Sequence, residues 1–516
     1  MPETFIWTDW IGARQTSCRK LVVKSRDQLV ALLRNTPAIA GRRFHAFSTG
    51  HATSPVAQPV SGQFAVWLDR DAWISDPQGA DWFKTEVFPD GTRPVWVPAN
   101  KTIASLNEWL DRRALALGNL GSYDAQGIYG AIATGTHGSG MVSGPLADFV
   151  LSIDLTCVVQ SAGAARVRSF RIEPTDGITK RNRFEDDVFD VELIQDDDVF
   201  HKSVVSLGAL GVVTGLVLRV RPRFWLKETR KILPWASYKK SVLDGTSPDP
   251  TKHLYTDLVL TALPVKVKHQ TAAHQVLVTT REVVPMPAGG AAPDRNDARS
   301  RSARAKWEAN GHSTIETALH LSGLGSRAPR FANKCAFNRL VDDAKETFTS
   351  KSYKVFRSSI GDWVAATSGE MGVAENHWID AVDGLIGELK KLDGDGLHPL
   401  SPIGIRFQKS SKHLLTQQHN RASTTFETPI LIGAFRHPGS PNSSAASMKE
   451  ILGRLEGVLI GATFQGRPHL GQRSEIDVAR TRTAYGAATF DAFKANRMRF
   501  DPYGIFANPR TTELGL

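Results

Sequence analysis

Between Gly127 and Gly140 the chain reads Gly-Ile-Tyr-Gly-Ala-Ile-Ala-Thr-Gly-Thr-His-Gly-Ser-Gly, small residues interleaved with hydroxyls. Backbone of this kind can press against a ligand and turn its N–H groups toward negative oxygens. No Gly-Lys-Ser/Thr ending follows, which excludes a nucleotide-hydrolysing P-loop. A second segment, Ser48-Thr-Gly-His-Ala-Thr-Ser54, follows an expected strand; Gly50 permits close approach and His51 stands at the strand's end. Gly118-Asn-Leu-Gly-Ser122 offers a third tight approach, and the loop from Ala131 to Gly140 adds the hydroxyls of Thr134, Thr136 and Ser139. Together these segments describe a bulky, phosphate-bearing ligand held by several glycine loops.

The elements that must position these loops are legible around them. Leu21-Val-Val reads as a strand. Ser25 and Gln28 then have capping-box spacing ahead of an apolar face of Leu29, Val30, Leu32 and Leu33, and Pro37 ends that helix. Arg43 to Phe47 reads as a strand. A helix is expected from Thr102 to Leu117, with Ile103, Leu106, Leu110 and Leu117 inward and Gly118 as its C-cap. Strands follow at Phe149–Val159, Ala165–Ile172 and Gly211–Val220, with Val204–Val220 expected as two buried strands around a turn and Asp196–Asp198 as a solvated loop. This half is therefore α+β. Beyond Pro222, strands are expected at Leu254–Leu263, Gln275–Val284, Ile403–Gln408 and Thr424–Phe435. Helices are expected near Val341, at His377–Lys391, from Ser447 and at Ala488–Met498. Pro285–Arg304, rich in Pro, Ala, Gly and Arg, reads as a surface loop or lid.

Composition narrows the class. The 516 residues suffice for two or three domains, and 41% hydrophobic with 22% charged content is ordinary for a globular protein. The most apolar stretch, Val204–Val220, is broken by Gly208, Gly211 and Gly215, so no bilayer-spanning run is expected. Met1 to Trp7 lacks a basic region followed by an apolar core, and Cys18, Cys157 and Cys335 lie too far apart for a disulfide framework or metal spacing; both point to a cytoplasmic protein. The net charge of +11 reads as general surface basicity, with no nucleic-acid module. No His-Glu-x-x-His and no nucleophile elbow around Ser139 are present, which argues against a metalloenzyme and a serine hydrolase.

Seven segments, in order from residue 8 to residue 508, resemble the flavin domain of the vanillyl-alcohol-oxidase (PCMH-type FAD) superfamily, in its aldonolactone and alditol oxidase branch. They are Thr8-Asp-Trp-Ile-Gly12, Gly50-His51 with Ser54-Pro-Val-Ala57, Leu117–Ser122, Gly130–Gly140, Ser206–Thr214, Gly466-Arg-Pro-His-Leu-Gly471 and Asp501–Asn508. The resemblance implies an α+β FAD-binding domain of two subdomains over 8–222, an α/β cap with an antiparallel sheet over 223–455, and a C-terminal segment, 456–516, returning to the FAD domain. It implies FAD contacts from Thr49, Gly50, His51, Ala52, Thr53, Gly118, Gly121, Ser122, Ala131, Thr134, Thr136, His137, Gly138, Ser139, Gly211, Val213, His469 and Asn508. His51 falls where many members bond the flavin 8α-methyl, although Ala52 stands where the family usually has Ser. Gly121 falls beside the reacting edge of the ring, where a small residue leaves room for oxygen and favours an oxidase that forms hydrogen peroxide.

The substrate side departs from that pattern. The family's Glu-x-Arg is Gly404-Ile-Arg406 here, and its Arg-Pro-His-Trp-Gly-Lys ends in Leu470-Gly-Gln472. Arg406 remains as the residue to stabilise negative charge, with Ser122, Gly121 and Gln472 beside it and Glu427, on the next expected strand, as a candidate base. Loss of two polar groups points away from a simple sugar lactone and toward a larger or less hydroxylated small molecule. The leading reading is an FAD-dependent oxidase of a CH–OH group, with molecular oxygen as acceptor. One alternative is a same-fold flavoenzyme that dehydrogenates, cyclises or couples a natural product; another is a flavin-holding protein with degenerate catalysis.

Overall fold

The computed structural model describes residues 3–9, 14–34, 41–46, 48–69, 82–141, 143–187, 190–266, 271–290, 292–294, 347–357, 366–399, 401–431 and 445–516. The helix expected near Val341, the stop at Pro37, Cys335 and most of the lid lie outside those residues.

Three sheets occur among the described residues. The first contains β1 (Thr4–Thr8), β2 (Gln15–Val23), β3 (Phe44–Ala46) and β4 (Phe64–Leu68) in the order β1-β2-β4-β3, with both β4 pairings parallel. The second contains β5 (Arg93–Pro98), β6 (Leu115–Ala116), β7 (Val150–Ser161), β8 (Ala164–Glu173), β9 (Val191–Gln195) and β10 (Val212–Pro222), in the order β5-β10-β7-β8-β9 with β6 also on β10. The third is built from β11 (Trp225–Pro234), β12 (Tyr255–Leu260), β13 (Gln275–Val284), β14 (Phe348–Lys351), β15 (Ala366–Ala374), β16 (Ile403–Gln408), β17 (Ser423–Leu431) and β18 (Arg467–Pro468). Its order is β14-β11-β13-β12-β16-β17-β15-β18, antiparallel throughout. The fold is α+β, with an antiparallel cap sheet.

Local chemistry explains the elements. Ser25 Oγ accepts the Gln28 N–H at 3.2 Å and Gln28 Oε1 accepts the Lys24 N–H at 2.9 Å, so the helix Arg26–Arg34 starts there and buries Leu29 and Leu33. The helix capped by Thr102 stops at Asp111, short of the expected Leu117. Ala114 takes a φ of 57°, and Leu115–Ala116 then pair with Pro222 and Arg221, so strand pairing takes the residues that periodicity assigned to the helix. Gly118 is therefore not a C-cap. Asp196–Asp198 are solvent-exposed as expected but are not a loop: the Asp196 carboxylate accepts the Val199 N–H at 3.0 Å and caps the helix Asp197–Ser203. Nor does Val204–Val220 form two strands. Leu207 at φ 52° and Gly208 at φ 72° turn the chain, and one strand, β10, follows.

Two cores result. One joins the first two sheets to the C-terminal helices, whose Phe490, Phe493 and Phe500 are fully buried together with Phe506 of the turn that follows. Asp501 sets the last turn by accepting the N–H groups of Ile505 and Phe506 at 2.6 and 3.0 Å. The other core lies under the cap sheet, where Trp378, Leu385 and Leu389 of the helix Trp378–Gly394 meet Phe407 and Phe426. The helix Ala445–Ile460 packs there too, so the expected boundary at 455 falls inside it.

Candidate active site

Segment 48–54 leaves β3 and is fixed by the far end of the chain. Ser54 Oγ donates to the Leu470 carbonyl at 3.0 Å, and Thr53 Oγ1 donates to the Ser368 carbonyl at 3.0 Å while accepting the Arg473 N–H at 2.9 Å. Gly50 has a φ of 67°, a conformation glycine adopts at least cost. Thr49 Oγ1 accepts the Gly127 N–H at 3.1 Å and lies 2.7 Å from His51 Nδ1; His51 Nε2 lies 3.0 Å from the Tyr123 hydroxyl. Gly127 must be glycine, because a Cβ there would sit 2.4 Å from Ser48 Oγ. The helix Ile128–Ala133 begins after it.

These pieces surround a cavity of about 530 Å³, within the range of a ligand pocket. Thr49, Gly50, His51, Ala52, Thr53, Gly121, Ser122, Ala131, Thr134, Thr136, His137, Gly211, Val213 and His469 all line it, as do Arg406, Glu427 and Gln472. Gly118, Gly138, Ser139 and Asn508 do not. Gly118 packs on Phe149, and its carbonyl accepts the Tyr255 hydroxyl at 2.8 Å. Asn508 caps the helix Pro509–Glu513 and donates to the Leu207 carbonyl at 2.8 Å. Gly138 and Ser139 serve the cap instead: Gly138 accepts from the Gln408 amide, and Ser139 Oγ accepts the Phe407 N–H at 3.1 Å and donates to the Thr256 carbonyl. The glycine loop thus has two jobs. Its first half faces the cavity, and its second half is stitched to β12 and β16.

The cap contributes a charged cluster. Arg406 donates to Glu427 Oε2 at 2.7 Å and to Ser122 Oγ at 3.4 Å, and lies 3.6 Å from Glu370 Oε2. Burial works against the charge on Arg406, yet Glu427 and Glu370 more than offset it. Gly404 faces Glu427 across β16 and β17, and a Cβ on Gly404 would lie 3.8 Å from Glu427 Oε2. A carboxylate thus still reaches Arg406, from the neighbouring strand. Gln472 accepts the Ser368 hydroxyl at 3.0 Å. Among the described residues, no group of three or more His, Cys, Asp and Glu could hold a metal ion, and no helix is long and apolar enough to cross a membrane.

Glu370 and Tyr123 went unnoticed in the sequence, although both line the cavity. Glu370 lies on β15, Ala-Thr-Ser-Gly-Glu-Met-Gly-Val-Ala, which gives almost no strand signal. Its glycines are there for packing: a Cβ on Gly369 would meet Leu452 at 2.7 Å and one on Gly372 would meet Gln417 at 3.0 Å. Tyr123 directly follows Ser122, and adjacency was its only signal.

The glycine-lined wall opposed by a cationic cap strand fits FAD, and the comparisons agree. Residues 21–158 match the family described as FAD binding domain, and residues 271–514 match D-arabinono-1,4-lactone oxidase. The chain is 24% identical to the L-gulono-1,4-lactone dehydrogenase of Mycobacterium tuberculosis, over 98% of each chain. It is 30% identical to the D-arabinono-1,4-lactone oxidase of Candida albicans over 37% of this chain and 30% of that one. A solvent-stable cholesterol oxidase shares the fold, with a TM-score of 0.70, 15% identity and coverage of 99% and 97% of the two chains. The protein is an FAD-dependent oxidase or dehydrogenase acting on CH–OH donors. Its FAD-binding and lactone-oxidase matches are those of the aldonolactone oxidase branch of the vanillyl-alcohol-oxidase superfamily, which the chain resembles.

Proposed function

We propose that the protein is an oxidase that takes a hydride from a carbinol carbon of a small molecule held beneath the cap, with molecular oxygen as the electron acceptor and hydrogen peroxide as product. Bound FAD supplies the hydride acceptor; this chain supplies position and charge. The observation that carries the reading is the convergence of Arg406, Glu427 and Ser122 on the cavity that the glycine segments line. Arg406 stabilises negative charge as the hydroxyl proton leaves, and Glu427, already hydrogen-bonded to it, is placed to accept that proton. Residues 8–222 and the C-terminal helices form the cofactor side, and the cap takes in 223–455 and runs on through the helix Ala445–Ile460 and β18.

The neutral Gln472, which lines the cavity and is engaged with Ser368, supports a substrate larger or less hydroxylated than a simple sugar lactone. Anaerobic bleaching of the flavin by a panel of aldonolactones, alditols and apolar alcohols tests this. Bleaching by apolar alcohols with the lactones inert is the expected pattern; the reverse assigns a lactone, and bleaching by none makes the protein a flavin carrier.

Two further predictions follow from the cofactor side. Attachment of the flavin to His51 is part of this reading, supported by a ring held between Thr49 and Tyr123 at the cavity wall. Acid-precipitated protein should stay yellow, and His51→Ala should release the colour to the supernatant; a colourless wild-type pellet refutes the bond. Gly121 keeps the ring edge open to oxygen. A Cβ there would lie 3.2 Å from the His137 carbonyl, so Gly121→Ala should slow reoxidation by oxygen about tenfold, about 1.4 kcal/mol of barrier. Stopped-flow reoxidation at the wild-type rate would remove the oxygen role from this position.

A further inference from the structure

His137 and His469 lie with ring centroids 6.3 Å apart, both buried, in opposite hydrogen-bond environments. His469 Nδ1 accepts the Gly471 N–H at 3.2 Å, so that nitrogen carries a lone pair and the ring is neutral. Around His137, Nδ1 lies 2.9 Å from the Gly138 carbonyl and Nε2 lies 2.6 Å from Glu370 Oε1. A carbonyl only accepts, so Nδ1 carries a proton. The second oxygen of Glu370 lies 3.6 Å from the Arg406 guanidinium, which favours the ionised carboxylate and hence a proton on Nε2 as well. The backbone of Glu370 is also held: its carbonyl accepts the His469 N–H at 2.8 Å and the Gln417 amide at 3.2 Å. The ionisable groups facing His137 are Glu370 from β15, Arg406 from β16 and His469 from the C-terminal segment.

We propose that Glu370 is a positioning residue: its carboxylate keeps His137 as an imidazolium at the cavity wall and braces Arg406, joining the glycine loop of the cofactor side to the cation of the substrate side. The inference deepens the functional reading and rests on it only where Arg406 faces substrate. Burial opposes the charge on His137, and Glu370 overcomes it, raising the imidazole above its ordinary range. An imidazole so held stays charged across neutral pH, and the wall beside Gly121 keeps one electrostatic state.

The test is a histidine titration of the FAD-loaded protein, ¹⁵N-labelled at histidine and followed by NMR, with the His137 signal assigned by its loss in His137→Gln. Wild type should show this ring doubly protonated at pH 7, titrating above the ordinary histidine range. In Glu370→Gln the same ring should become neutral at or below the ordinary histidine range. The visible spectrum of the bound flavin should then gain a pH step there, absent from wild type and from the Glu370→Gln/His137→Gln double variant. Glu370→Asp, with a shorter arm and the charge intact, should keep the ring charged at pH 7; it also serves if Glu370→Gln does not hold flavin. A singly protonated His137 in wild type at pH 7, or a titration unchanged by loss of the carboxylate, overturns the proposal. Neither readout depends on which substrate turns over, so failure here and failure of the functional reading are separable.

Discussion

Arg406→Ala should lower kcat by about 10²–10³-fold, about 3–4 kcal/mol of transition-state stabilisation, while the protein still purifies with its flavin. Arg406 is the cation between Glu427, at 2.7 Å, and Glu370, at 3.6 Å. Those two glutamates are register partners on β15 and β17. Without the guanidinium, two carboxylates face each other across one pleat, and charge that develops on the substrate oxygen meets repulsion instead of a donor. Arg406→Lys restores the charge without the fork that reaches both Glu427 and Ser122, so it should recover only part of the loss. Flavin retention is expected because the segments lining the cofactor side, 48–54 and 121–137, are anchored mainly through Leu470, Arg473 and the Thr49–Gly127 hydrogen bond, and Arg406 adds only its 3.4 Å contact with Ser122. Steady-state kinetics with whichever alcohol bleaches the flavin would measure the change. An unchanged kcat/KM would take Arg406 out of the reaction.

The cap strands show what the sequence can and cannot carry. Gln275–Val284 and Ile403–Gln408 are expected as strands and occur with those bounds: the first is a run of β-branched and apolar residues buried on both faces at its start, the second alternates buried and half-buried positions. β15 left no trace, since its glycines serve contacts with Leu452 and Gln417 that no local pattern encodes. With β15 missing, Glu370 was missing too, and the charged cluster was read as one arginine and one candidate glutamate. The absent carboxylate at Gly404 illustrates the same limit: along the chain it is a lost group, but across the register Glu427 fills the space beside it. Side-chain function on a sheet belongs to neighbouring strands as much as to one strand. The glycine loop misled in another way. Gly138 and Ser139 have a composition suited to binding anions, yet their partners are Gln408, Phe407 and Thr256 of the cap.

That stitched half of the loop sets up the second large effect. Gly140 has a φ of 128°, donates its N–H to the Phe407 carbonyl at 2.7 Å, and has no room for a Cβ, which would lie 1.9 Å from the Leu254 carbonyl oxygen and 3.0 Å from Tyr255 Cα. The obstacle is backbone at the start of β12, which cannot rotate aside as a side chain can. Gly140→Ala should therefore cost more than about 3 kcal/mol, the sum of overpacking and a backbone conformation that alanine resists. Gly163→Ala is the matched control: φ there is 77°, but nothing lies within 4 Å of the added carbon, so only the conformational term of about 1 kcal/mol applies. Thermal or denaturant melts should separate the two variants clearly. Flavin content should fall with Gly140→Ala, because displacing residue 140 drags His137 from Glu370 and disturbs Thr134 and Thr136 at the cavity wall. If the two variants melted alike and held equal flavin, the loop would not be wedged against the cap, and the coupling between cofactor side and substrate side would have to run through other contacts.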